Sequence, residues 1–252
     1  MSSLYYREKG SGQPVILLHG FPMNQEVWNS FANKLSTSCH VLTPDLPGFG
    51  KSPLFKGHFT IDDVGNSVIG WLKKKELSNV TLIGHSLGGY VALAIASQKP
   101  ALIKRLGLFH STAAPDNEEK KQSRNKVLEF IDKQGVQAFT SNFIAPLFAD
   151  QNHSAINIVR DIAVQATAEA VKGYTQAMRD RADRTSLLKE FPRPILWIAG
   201  EKDGGIPVDS IRKQAALCQS AELHILPNVA HMGMFENEEL TLSIVKSFSS
   251  AG

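Results

Sequence analysis

Short, continuously apolar runs recur along this chain, and stretches with helical spacing lie between them. Residues 15–19, 41–43, 80–84, 106–109, 195–199 and 223–226 each read as a strand, and several are closed by Gly or Pro. A strand exposed on one face alternates apolar and polar residues, whereas one covered on both faces is apolar throughout, as in a parallel sheet. Residues 4–8 add a candidate strand at the sheet edge. Thr60-Ile61-Asp62-Asp63 matches a capping box, with Asp where Glu is commoner. Val64, Val68, Trp71 and Leu72 follow on one helical face. Further helices are expected over 87–98, stopping before Pro100, and over 237–248. Strand–helix alternation of this kind predicts an α/β fold with a doubly wound, mostly parallel sheet.

The alternation breaks over residues 115–189, where no strand pattern occurs. Residues 116–134 are charged with an apolar patch at Val127, Leu128, Phe130 and Ile131, and Gly135 stands where a helix stop is expected. Residues 155–167 and 168–181 read as two more helices. The expected organisation is a core of residues 1–114 and 190–252 with a helical insertion, 115–189, between two strands of the sheet. The chain's 252 residues suit one large domain carrying such an insertion. Its net charge of +3, with no basic run longer than Lys73-Lys74-Lys75, argues against a nucleic-acid partner. No apolar run approaches the ~18 residues that cross a bilayer, and the N-terminus lacks the apolar core of a signal peptide. Cys39 and Cys218 form no disulfide framework and fit a reducing compartment. A cytoplasmic protein with no membrane association is expected.

The sharpest local signal is Gly84-His85-Ser86-Leu87-Gly88-Gly89, which follows one expected strand and opens one expected helix. This is the G-x-S-x-G pattern in the strand–turn–helix context that gives it meaning. A nucleophile on so tight a turn takes a strained backbone, and flanking glycines remove the clashes side chains would cause. The helix that follows turns its free N–H groups toward the same spot, which favours a developing oxyanion. A serine hydroxyl needs a base, and His231 is the best candidate. The base needs an acid, and Asp203 follows the strand at 195–199; Glu201 is a lower-ranked rival, and capping of the helix near Val208 is the alternative role for Asp203. The order Ser86, Asp203, His231 fits a hydrolase triad, and all three lie just after expected strands, at the carboxyl edge where open α/β sheets place their sites. His19-Gly20-Phe21-Pro22 follows the first strong strand, so the backbone N–H groups of Phe21 and Leu87 are the expected oxyanion-hole donors. His19 and His85 are expected to be structural.

These motifs, together with DLPGFGKS at 45–52, GEKDGGIP at 200–207 and VAHMG at 229–233, resemble the α/β-hydrolase fold superfamily over nearly the whole chain outside the insertion. The resemblance implies that Ser86, Asp203 and His231 form the triad and that the insertion is a cap, or lid, over the pocket. Haloalkane dehalogenases resemble the chain but carry Asp as the nucleophile, where this chain has Ser86. Within the superfamily it is more similar to small lactonases, enol-lactonases and cofactor-free esterases. The run Ala177-Met178-Arg179-Asp180-Arg181-Ala182-Asp183 resembles the cap-to-core segment of the enol-lactonase branch.

Gly-Lys-Ser at 50–52 looks like the end of a P-loop, but Asp45 stands where that pattern needs Gly, and Pro53 breaks G-x-G-x-x-G. The segment reads as a structural turn. The eight histidines are scattered and H-E-x-x-H is absent, so neither a metal nor another cofactor is expected. Phe139, Phe143, Leu147, Phe148, Met178 and Met232 are the expected pocket residues, since such pockets are mostly apolar. The expected reaction is hydrolysis of a small carboxylic ester or lactone through an acyl-enzyme. Carbon–carbon bond hydrolysis, acyl transfer with the same triad, and a small-molecule receptor on this scaffold are the alternatives. Either a monomer or a homodimer is compatible with the sequence.

Overall fold

A computed structural model describes residues 4–250. The strands are β1 (Tyr6–Lys9), β2 (Pro14–Leu18), β3 (His40–Pro44), β4 (Val80–His85), β5 (Ile103–Phe109), β6 (Ile195–Gly200) and β7 (Ala221–Leu226). They form one sheet in the order β1-β3-β2-β4-β5-β6-β7. Only the β1–β3 pair is antiparallel. The sheet is thus the mostly parallel, doubly wound one that the apolar runs predict, with the edge strand of residues 4–8 found one or two residues later.

The double covering explains the continuous apolar runs of the central strands. Ile16, Leu18, Leu82, Leu106 and Leu108 pack on one side with α2 (Ile61–Lys74) and α3 (Leu87–Gln98). Val15, Leu17, Ile83 and Phe109 pack on the other with α1 (Asn29–Leu35) and α10 (Glu238–Ser250). There Trp28 and Phe31 meet Phe109 edge-on, with ring centroids 5.6 and 6.3 Å away. The capping box at α2 is formed: the Asp63 amide donates to Thr60 Oγ1 at 3.2 Å and the Thr60 amide to Asp63 Oδ2 at 2.9 Å.

Four helices lie between β5 and β6: α4 (Glu118–Phe143), α5 (Ala155–Ala163), α6 (Ala168–Arg179) and α7 (Thr185–Glu190). Gly135 interrupts α4 at the expected stop, with a non-helical backbone. It kinks the helix at φ +79°, and helical structure resumes beyond it, because Val136 and Phe139 still have apolar surface to cover. This insertion is tied back to the sheet. The Tyr174 hydroxyl donates to the Pro47 carbonyl at 2.8 Å, and the Arg184 amide to the Ala113 carbonyl at 2.9 Å. After β6 comes α8 (Val208–Ala215); after β7, a short α9 (Gly233–Glu236) precedes α10, which is the helix expected over 237–248. The break falls at Asn237, whose φ of −149° and ψ of 64° are non-helical.

Candidate active site

Ser86 sits between the end of β4 and the first residue of α3, with φ +51° and ψ −113°. For a non-glycine residue this is strained backbone, held by its surroundings. The Ser86 amide donates to the Phe109 carbonyl at 3.0 Å, and the Ser86 carbonyl accepts from Ser111 Oγ at 2.8 Å and from the Gly89 amide at 2.9 Å. The glycines are required by crowding. A Cβ on Gly84 would collide with the backbone of Gly88, and one on Gly88 would stand 2.5 Å from the Leu18 carbonyl oxygen. Strand β2, elbow and helix are therefore packed backbone to backbone.

His231 lies in the loop between β7 and α9, and Asp203 in the loop after β6. His231 Nδ1 donates to Asp203 Oδ2 across 2.6 Å. That bond puts the imidazole proton on Nδ1 and leaves Nε2 as a lone-pair acceptor. The other carboxylate oxygen, Oδ1, accepts from the amides of Gly205 (2.9 Å) and Ile206 (3.1 Å). Burial alone would raise the Asp203 pKa, but the charge and hydrogen bond of His231 outweigh it and hold the carboxyl well below the usual range. Asp203 does not cap α8; Pro207 occupies that N-cap position without a side-chain bond. The rival, Glu201, is exposed to solvent.

Ser86 and His231 line one cavity of about 260 Å³ together with Asp203, Phe21, Phe143, Leu147 and Met178. Among the described residues the Ser86 hydroxyl makes no hydrogen bond to His231. Such contacts are commonly long without substrate and tighten when it binds. The amides of Phe21 and Leu87, next to the elbow, donate to no acceptor among the described residues. The Phe21–Pro22 peptide is cis.

Three of the expected pocket side chains do not face this cavity. Phe148 is 1% exposed and stacks on His153, with centroids 5.2 Å apart. Met232 is fully buried in the same apolar cluster. Phe139 stacks on Phe143 (4.9 Å) and lines an open apolar groove that adjoins the cavity through Ser123, Val127 and Phe143. His19 and His85 are wholly buried. His19 donates from Nδ1 to the Gly20 carbonyl and accepts at Nε2 from the Leu46 amide, both at 2.9 Å. The Asp45 carboxylate accepts from the amides of Gln25 and Lys51, both at 2.9 Å, so the P-loop look-alike is a turn held by its own carboxylate.

Two residues that hold this site were not singled out in the sequence. His110 is buried against His231, ring centroids 5.9 Å apart, and accepts at Nδ1 from the Gly200 amide at 3.1 Å. Burial, with His231 adding to it and Asp203 opposing, pushes its pKa down to about 3. Glu236 gathers the His231 loop. Its carboxylate accepts from the amides of Ala230 (3.1 Å), Met232 (3.0 Å) and, within the insertion, Ala149 (2.7 Å). Among the described residues no group of three or more His, Cys, Asp or Glu side chains is placed to hold a metal ion, and no helix is long and apolar enough to cross a membrane.

A parallel, doubly wound sheet with a serine at a strained strand-to-helix elbow and an Asp–His pair at neighbouring strand ends defines a class of α/β folds built around one cavity. The model of the alpha/beta hydrolase family matches residues 15–242, and the chain belongs to that family. It is similar to a thermophilic esterase from Thermogutta terrifontis, solved with malate bound: 28% identity over 97% of this chain and 92% of that one, TM-score 0.91. It is 25% identical to a pimeloyl-[acyl-carrier protein] methyl ester esterase of Pectobacterium carotovorum over the full length of both. The enol-lactonase of Burkholderia xenovorans shares the fold, with 22% identity, TM-score 0.90, and 98% and 96% of the two chains covered.

Proposed function

We propose that this protein hydrolyses small carboxylic esters or lactones through an acyl-enzyme on Ser86. The observation that carries the reading is the convergence on one cavity of a serine at φ +51° and a histidine whose Nδ1 is engaged by a buried carboxylate at 2.6 Å. His231 Nε2 takes the proton from Ser86 as its oxygen attacks the carbonyl carbon. The Phe21 and Leu87 amides receive the negative charge that moves onto the carbonyl oxygen. The tetrahedral species collapses, the carbon–oxygen bond to the alcohol breaks, and His231 returns the proton to the leaving oxygen. Water, activated by the same nitrogen, then cleaves the acyl-enzyme. Asp203 fixes the tautomer and steadies the imidazolium without taking its proton.

Residues 115–189 act as a cap over a core of 1–114 and 190–252; Phe143, Leu147 and Met178 from the cap join Ser86 and His231 in lining the cavity. A cavity of this size, at the small end for ligand sites, fits a small substrate. Both cysteines are free thiols, in keeping with a reducing, cytoplasmic setting. The test is steady-state hydrolysis of a panel of short esters and lactones by wild type and Ser86→Ala. Turnover lost in a variant that keeps the wild-type melting temperature supports the reading; undiminished turnover sinks it. A β-diketone in the same panel reports carbon–carbon cleavage.

A further inference from the structure

The cavity that holds Ser86 has a cationic wall. The first turns of α4 contribute Lys120, Ser123 and Arg124, and Asp116 lies beside them. Asp116 is already committed: its two oxygens take Arg124 Nε at 2.9 Å and Arg181 Nη1 at 2.7 Å. Arg181 is occupied through both terminal nitrogens, bonding also to the carbonyls of Met178 and Ala114, both at 2.8 Å, and lies over the Tyr90 ring. Asp203, the other carboxylate of the cavity, is engaged by His231. Three cations therefore face one shared carboxylate.

The remaining donors suit an anion. Lys120 has no carboxylate within ion-pair distance among the described residues; its Nζ donates to the Gly205 carbonyl at 2.8 Å and keeps two N–H donors. Arg124 uses Nε on Asp116, and its two terminal nitrogens bond to nothing among the described residues. Burial lowers the Lys120 pKa, with Asp116 and, more weakly, Asp203 pulling it up and Arg181 and Arg124 pushing it down. An anion placed there relieves that crowding. Phe21, Val127, Phe143 and Leu147 give the wall an apolar stretch that suits a short methylene chain.

We infer that the site selects an ester or lactone bearing a second, free carboxylate, held by Lys120 and Arg124 while Ser86 attacks the ester carbonyl. The inference rests on the reading of Ser86 as nucleophile, and its test separates the two. The probes are the monomethyl esters of succinic, glutaric and adipic acids, each against its half-amide, a neutral isostere of the free acid. In wild type at low salt, at least one acid is preferred over its amide in kcat/KM by about tenfold or more, the range of one charge-assisted hydrogen bond. Lys120→Gln lowers that ratio about tenfold, and Lys120→Arg keeps most of it. Calorimetric binding of the same pairs to Ser86→Ala protein reads the preference without turnover. If wild type cleaves none of the esters yet Ser86→Ala binds the acids over the amides, the hydrolytic reading fails and the carboxylate site stands. If no acid is preferred over its amide, or the preference survives Lys120→Gln intact, the carboxylate site is wrong whatever Ser86 does.

Discussion

The backbone amide of His231 donates to the carbonyl of Leu147 at 2.9 Å. The loop that carries the candidate base is therefore bonded to the insertion, residues of which line the cavity, and the carbonyl of His231 accepts from His85 Nε2, on β4, at 2.9 Å. The imidazole is positioned from both sides of the site by residues that have no part in the proposed chemistry.

Glu236 is the outer support of this arrangement, bridging two amides of the His231 loop to Ala149. Glu236→Ala leaves those amides without their acceptor. A misplacement of about 1 Å costs on the order of a hundredfold in rate, so kcat falls about ten- to a hundredfold while KM moves little. Steady-state kinetics on a neutral ester reads the split. A change confined to KM contradicts a positioning role for Glu236.

His110 makes stability depend on pH. Its folded pKa of about 3 lies below the ordinary 6.5, so between those values the unfolded chain takes up a proton the folded chain refuses. Its contribution is whole above about pH 6.5 and is lost as pH falls toward 3, at up to ~1.4 kcal/mol per pH unit. Asp203 has the same sign in a more acid window: its folded pKa is depressed, so its contribution is whole above the ordinary carboxylate range and lost as pH falls below it. Urea midpoints measured from pH 7 to pH 4.5 should fall in wild type and fall less steeply in His110→Gln, the buried His19 and His85 carrying the remaining slope. Parallel curves contradict the assignment.

Phe143 and Phe148 separate specificity from stability. Phe143 lines the cavity, so Phe143→Ala changes KM across an acyl-chain series. Phe148 is sealed in the core at 1% exposure, so Phe148→Ala costs about 3–5 kcal/mol of stability and leaves the order of substrate preference alone. Denaturant titration and a chain-length series decide it; reversed effects contradict the placement.

The elbow tolerates no side chain at position 88. Gly88→Ala forces a Cβ toward the Leu18 carbonyl, so either β2 or the start of α3 moves. The expected outcome is at least a hundredfold loss of activity, since the donors beside Ser86 are displaced, together with a lower melting temperature. Retained activity contradicts the packing described.

What was legible in the sequence follows from how local each signal is. The strands show because burial on both faces leaves a continuous apolar run, and the α2 start shows because Thr60 and Asp63 lie within one turn. Ser86 is marked by glycines that crowding demands nearby. His110 and Glu236 carry no pattern that marks them: one gains its role from burial against His231, the other from two amides of the loop before it and one from distant Ala149. The stop at Gly135 shows because glycine takes the positive φ that breaks the helix there, and a second helical segment resumes beyond it. Phe148 and Met232 were expected at the cavity on their apolar character, but composition does not tell a core side chain from a lining one when direction is set by tertiary packing.

Labelling with a serine-directed fluorophosphonate, followed by peptide mapping, tests the nucleophile most directly. A single adduct on the peptide containing Ser86, absent from Ser86→Ala and slowed in His231→Gln, is the expected result. An adduct on another residue, or one formed equally fast without the imidazole at 231, would contradict it.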